Sequence, residues 1–564
     1  MNKPLLWMLL ATGLIACKPS GTLHVDDAPS ESTDDGEGKS PPIEDAALFA
    51  PDHLIEVEIE LDPGDWNDIR NQTRDFYELL GGDCLAEPFA SPFTYFEAEI
   101  TVDGEVIEDV GVRKKGLLGS MSWDKPSLKI KTDKYVDGQL MENGTERLTL
   151  NNNVQDPSLI NQCLGYGVFR AAGLPAPRCN FATVTVNGED LGVFTHVEAV
   201  KKDFLKRHFE DNDGDLYEGT LSDFHDGWNT TFDPKTDDTD IERQIIADIT
   251  EALKASDSDV LDSVGAIVDL PDFYKFWAIE TLIAHSDGYA SNQNNFLIYR
   301  DPTTDLVTFI PWGADALFMG ADSTPAAFTT GWLTQRLWMI PEAREAYINA
   351  MEEVLDTAWN EDDLHGEIDR MQDLIVDHSR DPLTVAAYMD EVRRYVADRR
   401  GFVESQLPGL ANQGVPDEIR DPFCIVDMGT VSSDFDTLYD TIDVPDPFIY
   451  DATLIGESFP GNLQLAAVAG DDGYGGFVVA TYGVDEGWTE LYQVVAYMPA
   501  GVGPGTHDLE FGAAYAISYD LTVPDDEGEI IGLILGTVTF DAVGETPGDP
   551  VVGTISGDLL GGLF

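Results

Sequence analysis

At about Pro408 the chain changes character, and that break constrains its fold more than any other feature. Residues 421–564 are rich in Gly, Val, Thr and Asp and carry almost no Lys or Arg. Their apolar residues alternate in short runs separated by turn residues, the pattern of a separate all-β sandwich or barrel. No catalytic constellation lies there, so an accessory binding or packing role is expected. With 564 residues, the chain is in any case too long for one core.

Upstream, from 49 to 410, the pattern is mixed, and the fold class is α+β. Leu54–Leu61 alternates as a strand. Asp103-Gly104 and Asn187-Gly188 each sit between alternating runs, as in two-residue hairpins. Asp156-Pro157 reads as the start of a helix running to about Ala172, with Gly173 at its end. Helices are also expected over Asp272–Ala284 and through 341–406, where Arg393, Arg394, Arg399 and Arg400 gather near the end.

The first residues set an expectation about compartment. A short basic start, Met1-Asn2-Lys3, precedes the apolar stretch Leu5–Ile15, which is too short to span a bilayer as a mature helix. It ends in Leu14-Ile15-Ala16-Cys17, which resembles a bacterial lipobox. Residues 1–17 are thus expected to be a signal peptide with Cys17 as the lipidated residue, and residues 18–48, polar and poor in apolar groups, a disordered acidic tether. The expected location is the bacterial cell envelope, with lipid as the only membrane anchor. Export permits disulfides among Cys84, Cys163, Cys179 and Cys424, where three pairings or free thiols remain open.

Charge narrows the partners. The chain has 104 acidic and 33 basic residues. Self-repulsion on that scale disfavours nucleic acid and anionic membrane surfaces. Against this background Arg113, Lys114, Lys115, Lys125, Lys129, Lys131 and Lys134 form a cationic island opposed only by Asp124 and Asp133. It either awaits an anion or neutralises neighbouring carboxylates. In Ser127–Lys131, alternation puts Leu128 and Ile130 on one face and Lys129 and Lys131 on the other, where they could meet phosphates as point charges.

Chemistry concentrates in Ala284–Phe318. Asn295–Arg300 and Leu306–Ile310 read as an antiparallel pair turning at Asp301–Asp305. Folding them together brings Asp287, Asn292 and Asn295 towards Trp312 and Asp315. Carboxylates and side-chain amides are hard oxygen ligands suited to Mg²⁺ carrying polyphosphate. His285-x-Asp287-x4-Asn292 also has the spacing of the catalytic loop of protein kinases.

These stretches resemble the CotH kinase family, the kinases related to spore coat protein H, over roughly residues 50–408. The resemblance rests on Val112-Arg-Lys-Lys-Gly116, Ser127–Lys131, Gly173-Leu-Pro-Ala-Pro-Arg178, Val186-Asn-Gly188, Gly192–Glu198, Gly214-Asp-Leu-Tyr217, the Asp287 loop, Asn295–Tyr299 and Pro311-Trp312. It implies an atypical protein-kinase-like fold that uses ATP and Mg²⁺, with Mn²⁺ able to stand in, to phosphorylate Ser/Thr hydroxyls of exported proteins or of itself. By resemblance Asp287 is the catalytic Asp. Asp315, Asn292 and Asn295 are metal ligands. Arg113 and Lys115, with Lys129 or Lys131, belong to the ATP and phosphate region, and Glu198 either pairs with a cation or sits near the nucleotide. Many members show Trp-Asp-x-Asp where this chain has Trp312-Gly313-Ala314-Asp315. Either Asp315 takes over the metal, or the chain is a catalytically impaired surface binding protein or adhesin.

Other chemistries find little purchase. There is no Walker A spacing, no HExxH and no G-x-S-x-G. Asp211-Asn-Asp-Gly-Asp215 lacks the glycine position of an EF-hand loop and reads as an acidic turn.

Overall fold

The computed structural model describes residues 45–74, 81, 84–117, 119–236, 239–413, 424–440, 453–454, 457–458, 463–471, 476–484, 487, 489–499, 501–509, 513–523 and 528–561. The expected signal peptide, Cys17 and the tether as far as residue 44 lie outside the described residues. The rest falls into two compact units.

The first unit opens with a closed seven-stranded barrel. Its strands are β1 (Leu54–Glu60), β2 (Phe96–Val102), β3 (Glu105–Lys115), β4 (Ser127–Lys131), β5 (Arg147–Asn151), β6 (Cys179–Val186) and β7 (Glu189–Val197). The order round the barrel is β1-β2-β3-β4-β5-β7-β6, closed by a parallel pairing of β6 with β1. Alternation decides which way each side chain points. Ile55, Val57, Ile59, Leu128 and Ile130 fill the interior, while Glu56, Glu58 and Glu60 face water. Burying each such aliphatic side chain is worth about 1.5–3 kcal/mol. Both hairpin turns take the positive φ values their sequences call for: 51° and 87° at Asp103-Gly104, 49° and 77° at Asn187-Gly188.

The expected tether ends earlier than residue 48. Asp45–Phe49 form a 3₁₀ turn, Leu48 is buried in the barrel core, and the Phe49 ring stacks on His196 at 4.8 Å. The helix expected from Pro157 starts later, at Asn161, and runs to Ala171. Asp156 still caps it at a distance, because its carboxylate accepts the Asn161 N–H at 2.8 Å.

Beyond the barrel, β8 (Asp215–Gly219), β9 (Asp233–Pro234), β10 (Phe296–Asp301) and β11 (Leu306–Pro311) form a sheet in the order β11-β10-β8-β9. The helix Leu270–Leu282 packs on it through rings, with Phe273 and Phe309 centroids 4.7 Å apart. Its other side meets the helix Pro341–Thr357, where Trp277 and Tyr347 stack at 4.0 Å. Arg399, on the long helix Pro382–Leu410, is fully buried. Its guanidinium donates to the carbonyls of Thr281, Leu282, Ala321 and Ser323. A cation on the last carbonyls of a helix is favourable, and here it pins the helix end that leads into the Asp287 loop. A disulfide joins Cys163 to Cys179. Asp211–Asp215 is an acidic turn, in which Lys202 pairs with Asp213 at 2.7 Å.

The second unit is all-β. Its main sheet has eight antiparallel strands, of which seven run in the spatial order Val426–Leu438, Pro550–Gly561, Glu529–Ala542, Ala514–Asp520, Glu490–Pro499, Gly476–Val484, Leu463–Asp471; Gly505–Asp508 pairs with Glu529–Ala542. Val431, Phe435, Val479, Val494, Ile534 and Ile555 build its core. The domain expected over 49–410 is not one continuous stretch. Gly81 bridges to Ile425, and Cys84 is disulfide-bonded to Cys424, so both belong with the C-terminal unit.

Candidate active site

The hairpin β10–β11 does what its alternation implied. Phe296 lies opposite Pro311, and just beyond that pair the Trp312 N–H donates to the Asn295 carbonyl at 3.0 Å. The Asp287 loop and the Gly313–Asp315 turn therefore leave the sheet side by side.

Asp287 is held by three amides. Asn292 and Asn294 donate to its Oδ1 at 2.5 and 3.2 Å, and Asn295 donates to Oδ2 at 2.6 Å and to the backbone carbonyl at 3.0 Å. A carboxylate only accepts, so each amide must turn its nitrogen inward and its oxygen away. Behind the loop lies the fully buried pair Glu280 and His285, 3.4 Å apart. Glu280 accepts the N–H groups of Tyr289 at 3.0 Å and Ala290 at 2.8 Å, which open the short helix Tyr289–Asn292. Gly288 is required by this packing, since a Cβ there would lie 2.3 Å from Glu280 Oε1. Burial opposes a charge on His285, yet the Glu280 contact, Asp287 and Asp315 together raise its proton affinity above the usual value.

Asp315 lies within reach of the Asp287 charge. Burial, and then the Asp287 charge, push its carboxyl up to about 6, while its own backbone N–H, Lys115 and His285 pull the other way. Asn161 fixes the turn by donating to the carbonyls of Asp315 at 2.8 Å and Leu317 at 3.2 Å.

Lys115 approaches from the barrel. Burial lowers it to about 8, while Asp315 and Glu218 favour its charge. Its ammonium donates to Asn151 Oδ1. Asn151 in turn donates to Gln162 at 2.6 Å, and Gln162 to Asn153 at 3.2 Å. Lysine can only donate, so it sets the direction of this whole amide chain.

The cationic island divides. Lys114 and Lys125 donate to the carbonyls of Arg70 at 2.8 Å and Val193 at 2.6 Å, so they serve the barrel. Arg113 donates to Ser91 at 2.9 Å and lies over the Tyr95 ring, close enough to repel Lys115 and Lys129. Two open alternatives narrow. Lys131 pairs with Asp133 at 3.4 Å and Glu146 at 4.0 Å, so it neutralises surface carboxylates. Glu198 pairs with cations. It is buried between Arg178 and Arg207, whose charges and hydrogen bonds outweigh its burial and lower its pKa.

A divalent cation can be tested against this donor set. Among the described residues no group of three or more His, Cys, Asp or Glu side chains gathers as a metal cage. The charge of Asp287 does act on Asp315, whose carboxyl burial already pushes up, and the amides that hold Asp287 through their nitrogens turn their oxygens away from it. Mg²⁺ characteristically takes one or two carboxylates and completes its shell with water and phosphate oxygens. The residues present fit that pattern.

The family model described as CotH kinase protein matches residues 112–402, more than half of the chain.

The chain belongs to the CotH kinase family.

A curated relative, the inner spore coat protein H of Bacillus subtilis (strain 168), is 27% identical over 239 residues. That match covers 38% of this chain, and the chain spans 64% of the relative's length. Among solved structures, the Helicobacter pylori proinflammatory kinase CtkA aligns with a TM-score of 0.26 and 10% identity. The alignment covers 58% of this chain and 96% of CtkA, and at that score it adds nothing to the fold assignment.

Against the CotH pattern, Gly313 has a local reason. Its φ is +49°, and a Cβ there would lie 2.1 Å from Asn295 Oδ1. Asn295 fills the space into which a side chain at 313 would project. Sequence reading missed Glu280, Glu218 and Lys235. Glu280 was legible as an ionisable residue inside an apolar helix. Glu218 directly follows Gly214–Tyr217 on β8, and its Lys235 and Asp233 neighbours needed the β8–β9 pairing to be seen.

Proposed function

We propose that this CotH-family chain is a protein kinase that transfers the γ-phosphate of ATP to Ser or Thr hydroxyls of exported or surface proteins, itself included. The observation that carries the reading is that the hairpin β10–β11 brings the Asp287 loop and the Asp315 turn out of the sheet together, where the charges of Asp287 and of Lys115 from the barrel both act on Asp315. Asp287, oriented by three amides, takes up or directs the proton of the attacking hydroxyl. Lys115 meets phosphate oxygens as a point charge, with Lys129 and Arg113 beside it. Asp315, with the amide oxygens of Asn292 and Asn295, would hold Mg²⁺. A divalent cation there offsets negative charge on the transferring phosphoryl group. The buried Glu280–His285 pair keeps the loop rigid, so Asp287 needs no rearrangement to act.

Export and lipid attachment at Cys17 form part of the same proposal. The two disulfides support it, because structural disulfides persist in oxidising compartments. The acidic surface argues against nucleic acid as a partner.

The test is incubation of the purified protein with labelled ATP and Mg²⁺, with Asp287→Ala in parallel. Transfer that survives the substitution refutes the assignment. Gly313 favours a second reading, a CotH fold retained for binding alone. Metal-dependent ATP binding by calorimetry counts against it, and its absence counts for it.

A further inference from the structure

One ammonium at the site is held by charge alone. The Lys129 side chain makes no hydrogen bond or ion pair with any described residue, although its backbone is paired in the sheet. It projects from the outer face of β4, beside Arg113 on β3. Burial, and then the like charges of Arg113, Arg147, Lys235 and Lys201, lower its ammonium to about 7. Arg147 is paired with Glu146 and Lys235 with Asp233, while Lys129 has no ion pair of its own among the described residues, so an anion brought to Lys129 is favoured.

One further carboxylate stands among these cations. Glu218 lies on β8, opposite Asp233 on β9. It ion-pairs with Lys235, and the charges of Lys129 and Lys115 reach it as well. Lys235 does not depend on it for placement, because Asp233 holds the same ammonium at 2.8 Å and the Lys235 N–H donates to the Leu216 carbonyl at 2.9 Å. Glu218 is therefore a negative charge set among cations that other groups already position.

We propose that Glu218 is a resident counter-ion, occupying among Lys115, Lys129 and Lys235 the electrostatic place that a phosphate group of a nucleotide or polyphosphate takes on binding. Carboxylate and phosphate oxygens make the same charge-assisted bonds to ammonium groups. An incoming phosphate gains the cations and must overcome the carboxylate, so Glu218 weakens binding by competition. The opposite role, an acid that props up a phosphate-binding lysine, predicts the opposite sign on removal. The proposal rests on the kinase reading only for the identity of the natural ligand.

The experiment uses tripolyphosphate without metal, which keeps Asp287 and Asp315 from contributing through a cation. Calorimetric titrations compare the wild type, Glu218→Gln, Lys129→Gln and Lys235→Gln at fixed ionic strength, with folding checked by thermal melts. Glu218→Gln is expected to bind roughly tenfold more tightly, the size of one partly screened charge at close range. Lys129→Gln is expected to lose most of the binding. Lys235→Gln leaves Glu218 to the remaining lysines, so affinity falls by about tenfold. This variant reads the same competition should Glu218→Gln fail to fold. Unchanged or weaker binding by a folded Glu218→Gln overturns the proposal, as does unchanged binding by Lys129→Gln or Lys235→Gln. Absence of binding in wild type and Glu218→Gln alike also overturns it. The same preparations are then given labelled ATP and Mg²⁺. No transfer, with tripolyphosphate affinities in the expected order, refutes the kinase reading and leaves the counter-ion standing. Transfer with no tightening in Glu218→Gln refutes the counter-ion alone.

Discussion

Replacing Asp315 by Asn should make the metal-free protein more stable while abolishing its proposed chemistry. The carboxyl is raised from 3.8 to about 6 by burial and by Asp287. A carboxyl raised in the folded state is held more tightly as its neutral form, so its ionisation costs stability. That cost is absent below the unfolded value, grows as pH rises from about 4 to 6, and is complete above the folded value. Two units at 1.36 kcal/mol each give nearly 3 kcal/mol, reduced to roughly 2 kcal/mol by solvent screening at a partly open site. For a unit of this size that corresponds to a rise of a few degrees in melting temperature. The assay is thermal unfolding of wild type and Asp315→Asn in chelator, at pH 8 and at the lowest pH both tolerate. The variant should melt higher at pH 8, and the gap should shrink with acidification. Adding Mg²⁺ should raise the wild-type melt more than that of the variant. Equal melting curves at pH 8, or a less stable variant, would refute the reasoning that Asp315 and Asp287 are strained against each other.

Glu280→Leu leaves the N–H groups of Tyr289 and Ala290 without their buried acceptor and should cost about 2–5 kcal/mol, read from chemical unfolding. Replacing Cys163 and Cys179 by Ser opens a short loop and should cost about 3 kcal/mol, read from the melting temperature under non-reducing conditions. Gly313→Ala meets Asn295 and a left-handed backbone, so it should destabilise by about 1–3 kcal/mol. Adding Asn295→Gly should recover part of that loss, and an additive double mutant would show that the two positions do not compete for space.

Much of the barrel and of the hairpin at the site was legible because both rest on local rules. Asp103-Gly104 and Asn187-Gly188 need positive φ at both positions, and few other residue pairs accept it. The hairpin β10–β11 follows from alternation and a polar turn, and it alone carries Asn295 to Trp312. Lys129 and Lys131 were correctly set on one face of β4. Which of them faces the site is a different question. It depends on Asp133 and Glu146 beside Lys131, and on the charges of Glu218 and Lys235 that act on Lys129, neighbours that no period along β4 encodes. The choice between the two roles expected of Glu198 rests on the same kind of contact, because Arg178 and Arg207 take both its oxygens. The insertion of Gly81 and Cys84 into the C-terminal unit was also hidden, since four cysteines allow three pairings and spacing does not choose among them.

The Gly313 position shows where local pattern and site chemistry part. Read along the chain, a glycine in place of an acid is a lost ligand. In the fold, Gly313 and Asn295 share one volume, so the glycine is what allows Asn295 to reach Asp287 with its nitrogen while its oxygen lies over residue 313. An acid at 313 would put a third carboxylate beside Asp287 and Asp315, where burial and Asp287 already raise Asp315 to about 6. Exchanging that charge for an amide oxygen lowers the repulsion within the site and keeps a hard oxygen in place. Gly313 is therefore as consistent with a less charged metal site as with a lost one. The wild-type response to Mg²⁺ at pH 8, absent in Asp315→Asn, separates the two.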